Sequence, residues 1–378
     1  MFSAICAVSS AQNQVKVGAE RLDAYMPVLV GQRVALVANQ TSLVGETHLL
    51  DTLLSLGVEI KKVFTLEHGF RGSADAGERV ESSFDAKTGV RMVSIYGKDK
   101  KPKAEELKDI DWIVYDVQDV GARFYTYISS LHYIMEAAAE QKKKILILDR
   151  PNPNGYYIDG PVLQLKYKSF VGMHPVPVVH GMTIGEYAKM INGEGWLLNG
   201  IKAELKVIPC AKYTHKTRYQ LPIKPSPNLP NMQSVYLYPS LCLFEGTTVS
   251  VGRGTDAPFQ VFGSPDLEGY DYTFTPTSRE GAKFPPHKDQ VCYGVDLRKF
   301  DMRYLNQLNI DWLINAYESS VNKGAFFTDF FIRLAGNDQL KNQIISGISE
   351  DVIRASWRDE IASFKLMRKK YLLYSDFE

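Results

Sequence analysis

No stretch of the 378-residue chain reaches the ~20 consecutive apolar residues that a membrane-spanning helix needs, so stable membrane insertion is not expected. Cysteine is scarce. Cys6, Cys210, Cys242 and Cys292 form no CxxC pair and no spacing with histidine that suggests zinc, and they leave any disulfide undetermined. An excess of charge of one sign is missing too: the formal net charge is +1, and no basic block carries interleaved aromatics. Nucleic acid is therefore not expected as a partner. The short run KDKKPK (98–103), beside Glu105, reads as a solvated loop. There is no internal repeat, no GxSxG elbow, no HExxH pair and no Walker loop. GRGTDA (252–257) fits a GxGxxA pattern, but Pro258 follows at once and leaves no room for a crossover helix, so no dinucleotide cofactor is expected.

What is present looks like two domains of ordinary soluble composition, 45% hydrophobic and 23% charged. RVALVA (33–38), VFTL (63–66), WIVYDV (112–117), KILILD (144–149) and VPVV (176–179) are apolar without alternation, as strands covered on both faces are. Helical patterns lie between them: THLLDTLLSLG (47–57), SSLHYIMEAAAEQ (129–141) with serine caps, and MTIGEYAKMINGEGWL (182–197) with a Thr183–Glu186 capping box. Alternation of this kind predicts an α/β domain with a parallel sheet and right-handed crossovers. The stretch 67–111 is longer than one crossover needs and reads as a loop or lid. Beyond the proline-rich LPIKPSPNLPNM the texture changes to β-like segments (from VYLYPSL onward) and a helical end, which predicts a smaller α+β domain. The divisions are 1–14, a remnant of a secretory signal or a disordered N-terminus; 15–236; and 237–378. The small-residue site in AICAVSSA points to a secreted or periplasmic protein.

Every candidate strand ends in polar residues. These are NQTS (39–42), EHGFRG (67–72), DVQDVGARFYTY (116–127), DRPNPNG (149–155) and HG (180–181). Ligands bind outside the carboxyl ends of strands in open parallel sheets. The five ends bring Asn39, Glu67, His68, Asp116, Asp119, Arg123, Tyr127, Asp149, Asn152, Asn154 and His180 to one rim. Carboxylates, imidazoles and amides without a serine nucleophile suit acid–base hydrolysis of a polar substrate, one carboxyl donating a proton and a second assisting. A metal-dependent hydrolase using Asp116, Asp119, His68 and His180 is an alternative reading of the same set.

LVANQTS, EHGFRG, YDVQDVGARFYTY, LDRPNPNG, VHGMTIGE and PSPNLP, in this order, resemble the motifs of the NamZ family of exo-β-N-acetylmuramidases, from about residue 17 to the C-terminus. The resemblance implies a Rossmann-like catalytic domain with a C-terminal auxiliary domain. It implies release of N-acetylmuramic acid from non-reducing ends of peptidoglycan fragments, no cofactor, and Glu67 as leading catalytic residue. A peptidoglycan-derived glycan or muropeptide is then the expected partner, and a non-catalytic muropeptide-binding protein is the rival reading. The lactyl carboxylate of that sugar calls for a fixed cation, for which Arg71, Arg123 and Arg150 are candidates; each could equally be an internal ion pair. His68 and His180 could orient a carboxylate or move a proton. Asn152 and Asn154 could shape a turn or hold the sugar's acetamido and hydroxyl groups.

Overall fold

The computed structural model describes residues 15–67, 69–70, 83–97 and 99–378. Six parallel strands form the frame: β1 (Arg33–Ala38), β2 (Glu59–Thr65), β3 (Arg91–Ser94), β4 (Trp112–Asp116), β5 (Lys144–Leu148) and β6 (Glu204–Ile208). Their spatial order is β3-β2-β1-β4-β5-β6, with the two-residue strand Ser83–Phe84 antiparallel at the β3 edge. The sheet grows outward in both directions from β1 and β4, so the crevice of a doubly wound sheet opens at their carboxyl ends. β4 is buried at every residue and β1 at all but its first. Alternation then feeds two apolar layers. Ala35, Val37, Ile113 and Tyr115 face one side, and Val34, Leu36, Val114 and Leu146 the other. Helices α1 (Leu22–Leu29) and α2 (Leu49–Ser55) pack on the second layer, while α3 (Tyr127–Glu140) and α4 (Ile184–Gly193) pack on the first. The first layer runs on without a break into the C-terminal region.

Local chemistry explains the ends of these helices, and one differs from expectation. α4 opens with the predicted capping box: the Thr183 hydroxyl accepts from the Glu186 amide (3.3 Å), and a Glu186 carboxylate oxygen accepts from the Thr183 amide (2.9 Å). α3 begins at Tyr127, before the serines expected to cap it; Ser129 and Ser130 are buried inside its first turn.

Two strand assignments are corrected. Val176–Val179 is no sheet strand; Val179 makes only isolated bridges, to Ala122 and Asp159. The edge place belongs to β6, whose ELKVI is half exposed and alternates, as a strand covered on one face does. β3 lies within the segment expected to be a loop, and its RMVS was too short and polar to register as an apolar run. Residues 71–82 of that segment lie outside the described residues.

The C-terminal region brings a third correction. VYLYPSL, β-like by residue type, lies in helix α5 (Met232–Leu241), because the Asn231 side chain caps it, accepting from the Ser234 amide at 3.1 Å. Pro239 sits inside this helix and cannot donate to the carbonyl of Val235 four residues back. That carbonyl is taken instead by the Asn154 side-chain amide at 3.1 Å, which also donates to the carbonyl of Val120 at 2.9 Å. After α5 come three antiparallel strands, β7 (Val261–Ser264), β8 (Tyr272–Phe274) and β9 (Cys292–Asp296), in the order β7-β9-β8. Five helices close the chain: α6 (Asp311–Glu318), α7 (Phe331–Ala335), α8 (Gln339–Ile345), α9 (Glu350–Ala355) and α10 (Arg358–Lys369). Cys210, Cys242 and Cys292 are buried free thiols. Among the described residues no helix is long and apolar enough to cross a membrane.

Asn154 therefore joins the sheet's loops to a proline-bearing helix. Replacing it with Ala leaves the Val120 and Val235 carbonyls buried without these donors. A loss of roughly 2–4 kcal/mol is expected, read from the shift in denaturation midpoint at constant slope. A midpoint unchanged from the wild type would show that these two bonds carry no net stability.

Candidate active site

Several polar residues of the rim turn out to hold the rim itself. Asp116 ends β4 fully buried and is gripped by Arg150 through two bonds, Nε to Oδ1 at 2.6 Å and Nη2 to Oδ2 at 2.9 Å. The same Nη2 donates to the carbonyl of Leu43 (3.0 Å), and the Ser42 hydroxyl donates to the carbonyl of Asp116. The pair thus ties the loop after β1 to the ends of β4 and β5. Arg123 is buried and has no carboxylate partner among the described residues; Nη1 donates to the carbonyls of Pro161 and Val176, and Nη2 to those of Leu334 and Ala335, at 2.7–2.8 Å. Burial pushes its pKa down to about 10, so it stays charged at neutral pH. Neither guanidinium lines the cleft described below, and of the two roles open to each the bonds found here are the internal ones.

The amides and His180 are also inward. Asn152 donates to the carbonyl of Met182 (2.8 Å) and accepts from the Asn154 amide (2.8 Å). His180 accepts from the Met182 amide through Nδ1 at 3.2 Å. Burial, then Arg368, Arg123 and His215, push its pKa down to about 3, so the ring is neutral. Asp149 accepts from the Thr183 hydroxyl (2.7 Å), the Gly185 amide (2.8 Å) and the Tyr374 hydroxyl (2.5 Å), holding the start of α4. These residues shape the rim and do not line the cleft. No three of His, Cys, Asp and Glu come together as a metal cradle among the described residues. His68 and Arg71 lie outside the described residues.

Glu67 is placed differently. β2 ends at Thr65, and Glu67 emerges half-buried just beyond the carboxyl end of that strand. Its Oε1 accepts from the Tyr96 hydroxyl and its Oε2 from the Thr126 hydroxyl, both at 2.9 Å. Thr126 occupies the N-cap position of α3 but makes no cap bond with its side chain; the hydroxyl serves Glu67 instead. Glu67 lines a cleft of about 770 Å³, a size suited to a small ligand, between the sheet edge and the C-terminal region. Tyr125 and Tyr127 form the adjoining wall. The Asn39 amide donates to the Tyr127 hydroxyl (2.9 Å), and the Tyr125 hydroxyl donates to the carbonyl of Pro225 (2.9 Å). From the C-terminal side come Glu245 and Arg253, joined by a 2.7 Å bond from Nε, and the aromatic side chain of Phe284, 91% exposed.

Of the residues expected from sequence, the structure brings Glu67 and Tyr127 to the cleft and puts Asn39 behind Tyr127. Sequence reading missed Tyr96, Thr126, Glu245 and Arg253. Thr126 lay inside a motif already singled out. Arg253 lay inside GRGTDA, where only a nucleotide fingerprint was sought.

The exo-β-N-acetylmuramidase NamZ family matches as an N-terminal model over residues 34–233 and a C-terminal model over residues 236–374. The chain belongs to the NamZ family. It is 38% identical over 375 residues to the peptidoglycan β-N-acetylmuramidase NamZ of Bacillus subtilis, covering 93% of this chain and 89% of that protein. Two solved DUF1343-family proteins of Bacteroides fragilis share the fold. One superposes with a TM-score of 0.90 at 49% identity, covering 96% of this chain and 99% of that one. The second gives 0.83 at 28% identity, covering 96% and 100%.

Asp119 lies buried and does not line the cleft. Its Oδ2 accepts from the Gly121 amide at 2.7 Å, while Oδ1 has no partner among the described residues. Burial pushes its pKa up to about 7, against the lowering effect of the Gly121 and Val120 amides. Because the folded pKa is raised, the native state keeps a proton that the unfolded chain has already lost. The stabilising contribution is complete below about pH 4 and is lost as pH rises through about 7. An Asp119→Asn variant keeps the Gly121 bond and cannot ionise. Its stability relative to wild type should climb between pH 4 and 7, by up to about 4 kcal/mol, and level off above. Denaturant titrations of both proteins across that range check this; a flat difference would place the Asp119 titration elsewhere.

Proposed function

We propose that this protein is a glycoside hydrolase that removes N-acetylmuramic acid from the non-reducing ends of peptidoglycan fragments, with Glu67 as its proton-transfer group. The observation that carries this reading is a carboxylate clamped by two hydroxyls at the wall of a sugar-sized cleft, in a chain of the NamZ family. Glu67 gives its proton to the glycosidic oxygen as the bond to the anomeric carbon breaks, and water completes the hydrolysis. Tyr96 and Thr126 can accept as well as donate, so both can keep hold of Glu67 whichever protonation state it occupies. Tyr127, its hydroxyl bonded by the Asn39 amide, is buried beneath the wall of the cleft and shapes it.

In the same reading, residues 15–236 form a Rossmann-like catalytic domain, and 237–378 form an auxiliary domain that closes the far wall of the cleft. The substrate class, together with the apolar and small residues at the start of the chain, argues for a secreted or periplasmic location.

Glu67→Gln is nearly isosteric and cannot donate the proton. Its turnover of a chromogenic β-N-acetylmuramide should fall by roughly two orders of magnitude or more, with the melting temperature close to wild type. Near-normal turnover in a folded Glu67→Gln protein would remove Glu67 from this role. A wild-type protein that binds muropeptides but turns over none would instead be a binding protein.

A further inference from the structure

The two described guanidiniums expected to meet the substrate's lactyl carboxylate are both committed to internal partners. Arg253 is placed otherwise. It lines the same cleft as Glu67 but comes from the C-terminal region. Only its Nε is bonded to protein among the described residues, to Glu245 Oε1 at 2.7 Å. Its two terminal amines have no protein partner there, and its side chain keeps 19% of its surface exposed.

The loop that carries Arg253 is stiff. Gly252 and Gly254 both have positive φ, 76° and 80°. A Cβ on Gly252 would lie 2.5 Å from Val261 Cγ2 and 2.9 Å from the carbonyl of Ala257; one on Gly254 would lie 2.5 Å from the carbonyl of Thr277. Only glycine fits on either side of the arginine. The Thr277 amide donates to the carbonyl of Gly254 (2.9 Å), and the Thr255 hydroxyl to that of Gly252 (2.7 Å). The guanidinium lies 5.1 Å from the centre of the Phe259 ring. A cation held by a carboxylate at one nitrogen, on a pinned loop, keeps two parallel N–H donors for an incoming carboxylate.

Resting on the muramidase reading above, we propose that Arg253 is the specificity-determining residue, binding the lactyl carboxylate of N-acetylmuramic acid through its terminal amines while Glu245 holds it in place. Lys283 is another cation lining the cleft, but it is exposed and its ammonium is a single point charge on a flexible stem.

The test compares kcat/KM on a chromogenic β-N-acetylmuramide and on the matching β-N-acetylglucosaminide, which lacks the lactyl group. The proteins are wild type, Arg253→Met, Arg253→Lys and Lys283→Met. In Arg253→Met, activity on the muramide should fall roughly tenfold to a hundredfold, as expected for a lost charge-assisted bond, while the glucosaminide is nearly unaffected. Arg253→Lys should shrink the preference less, and Lys283→Met should keep the wild-type ratio. Should Arg253→Met fail to fold, Arg253→Lys decides alone. A folded Arg253 variant with an unchanged ratio overturns the proposal. So does a parallel fall on both substrates, which a purely structural arginine produces, and so does loss of the ratio in Lys283→Met. A wild-type protein inactive on both substrates would defeat the muramidase reading itself, before Arg253 enters.

Discussion

The buried guanidinium of Arg123 fixes the geometry on which the cleft depends. It bonds two carbonyls from the sheet's side, Pro161 and Val176, and two from the C-terminal side, Leu334 and Ala335. A cation taken out of water needs compensation, and here four backbone dipoles supply it in place of a carboxylate. Removing any one carbonyl exposes the charge to a poorer environment, so the two sides cannot drift apart cheaply. Leu334, one of the four, also lines the cleft, so the pin acts directly behind the site. Gly336 is part of the same fitting: a Cβ there would lie 2.7 Å from Nη2 of Arg123.

The chain's last residues add a second tie. The Leu373 amide donates to Glu186 in the first turn of α4, and the Tyr374 hydroxyl to Asp149 just after β5. Arg368 donates to the carbonyl of Gly181 and pairs with Asp376. The shared apolar layer supplies the bulk of the adhesion, and these directional bonds set its register. A cleft between two parts of a chain can hold a reacting carboxylate only if both walls keep their spacing.

Much of the frame was legible because its causes are local. β1, β4 and β5 announce themselves as continuous apolar runs, and the capping box at Thr183 names the start of α4. β3 and β6 were not legible, since these outer strands are half polar and look like loops. Helix α5 was misread because its residues favour strands; the Asn231 cap and the Asn154 bond that makes Pro239 tolerable are contacts of the folded chain. The rim of the site was legible as a concentration of polar residues, but not the division of labour within it. Asp116, Arg150, Asn152, Asn154 and His180 hold loops together, and only the folded geometry separates them from Glu67. The Tyr96 and Glu245 contributions depend on elements far apart in sequence, and no short motif carries them.

The Glu245–Arg253 pair shows what such geometry adds. The pair is mostly buried, the Arg253 and Glu245 side chains keeping 19% and 25% of their surface exposed. Its conformational cost is real: two glycines at positive φ and the left-handed Phe259, whose φ is 53°, are needed to present it. Left-handed backbone at a bulky residue is unfavourable. The strained loop is the one that presents Arg253 to the cleft. It holds a guanidinium still, facing the same cavity as a carboxylate fixed by two hydroxyls from the opposite wall. The first wall carries a group that can move a proton. The second carries one that can hold a charge, and the pin at Arg123 ties the two sides together.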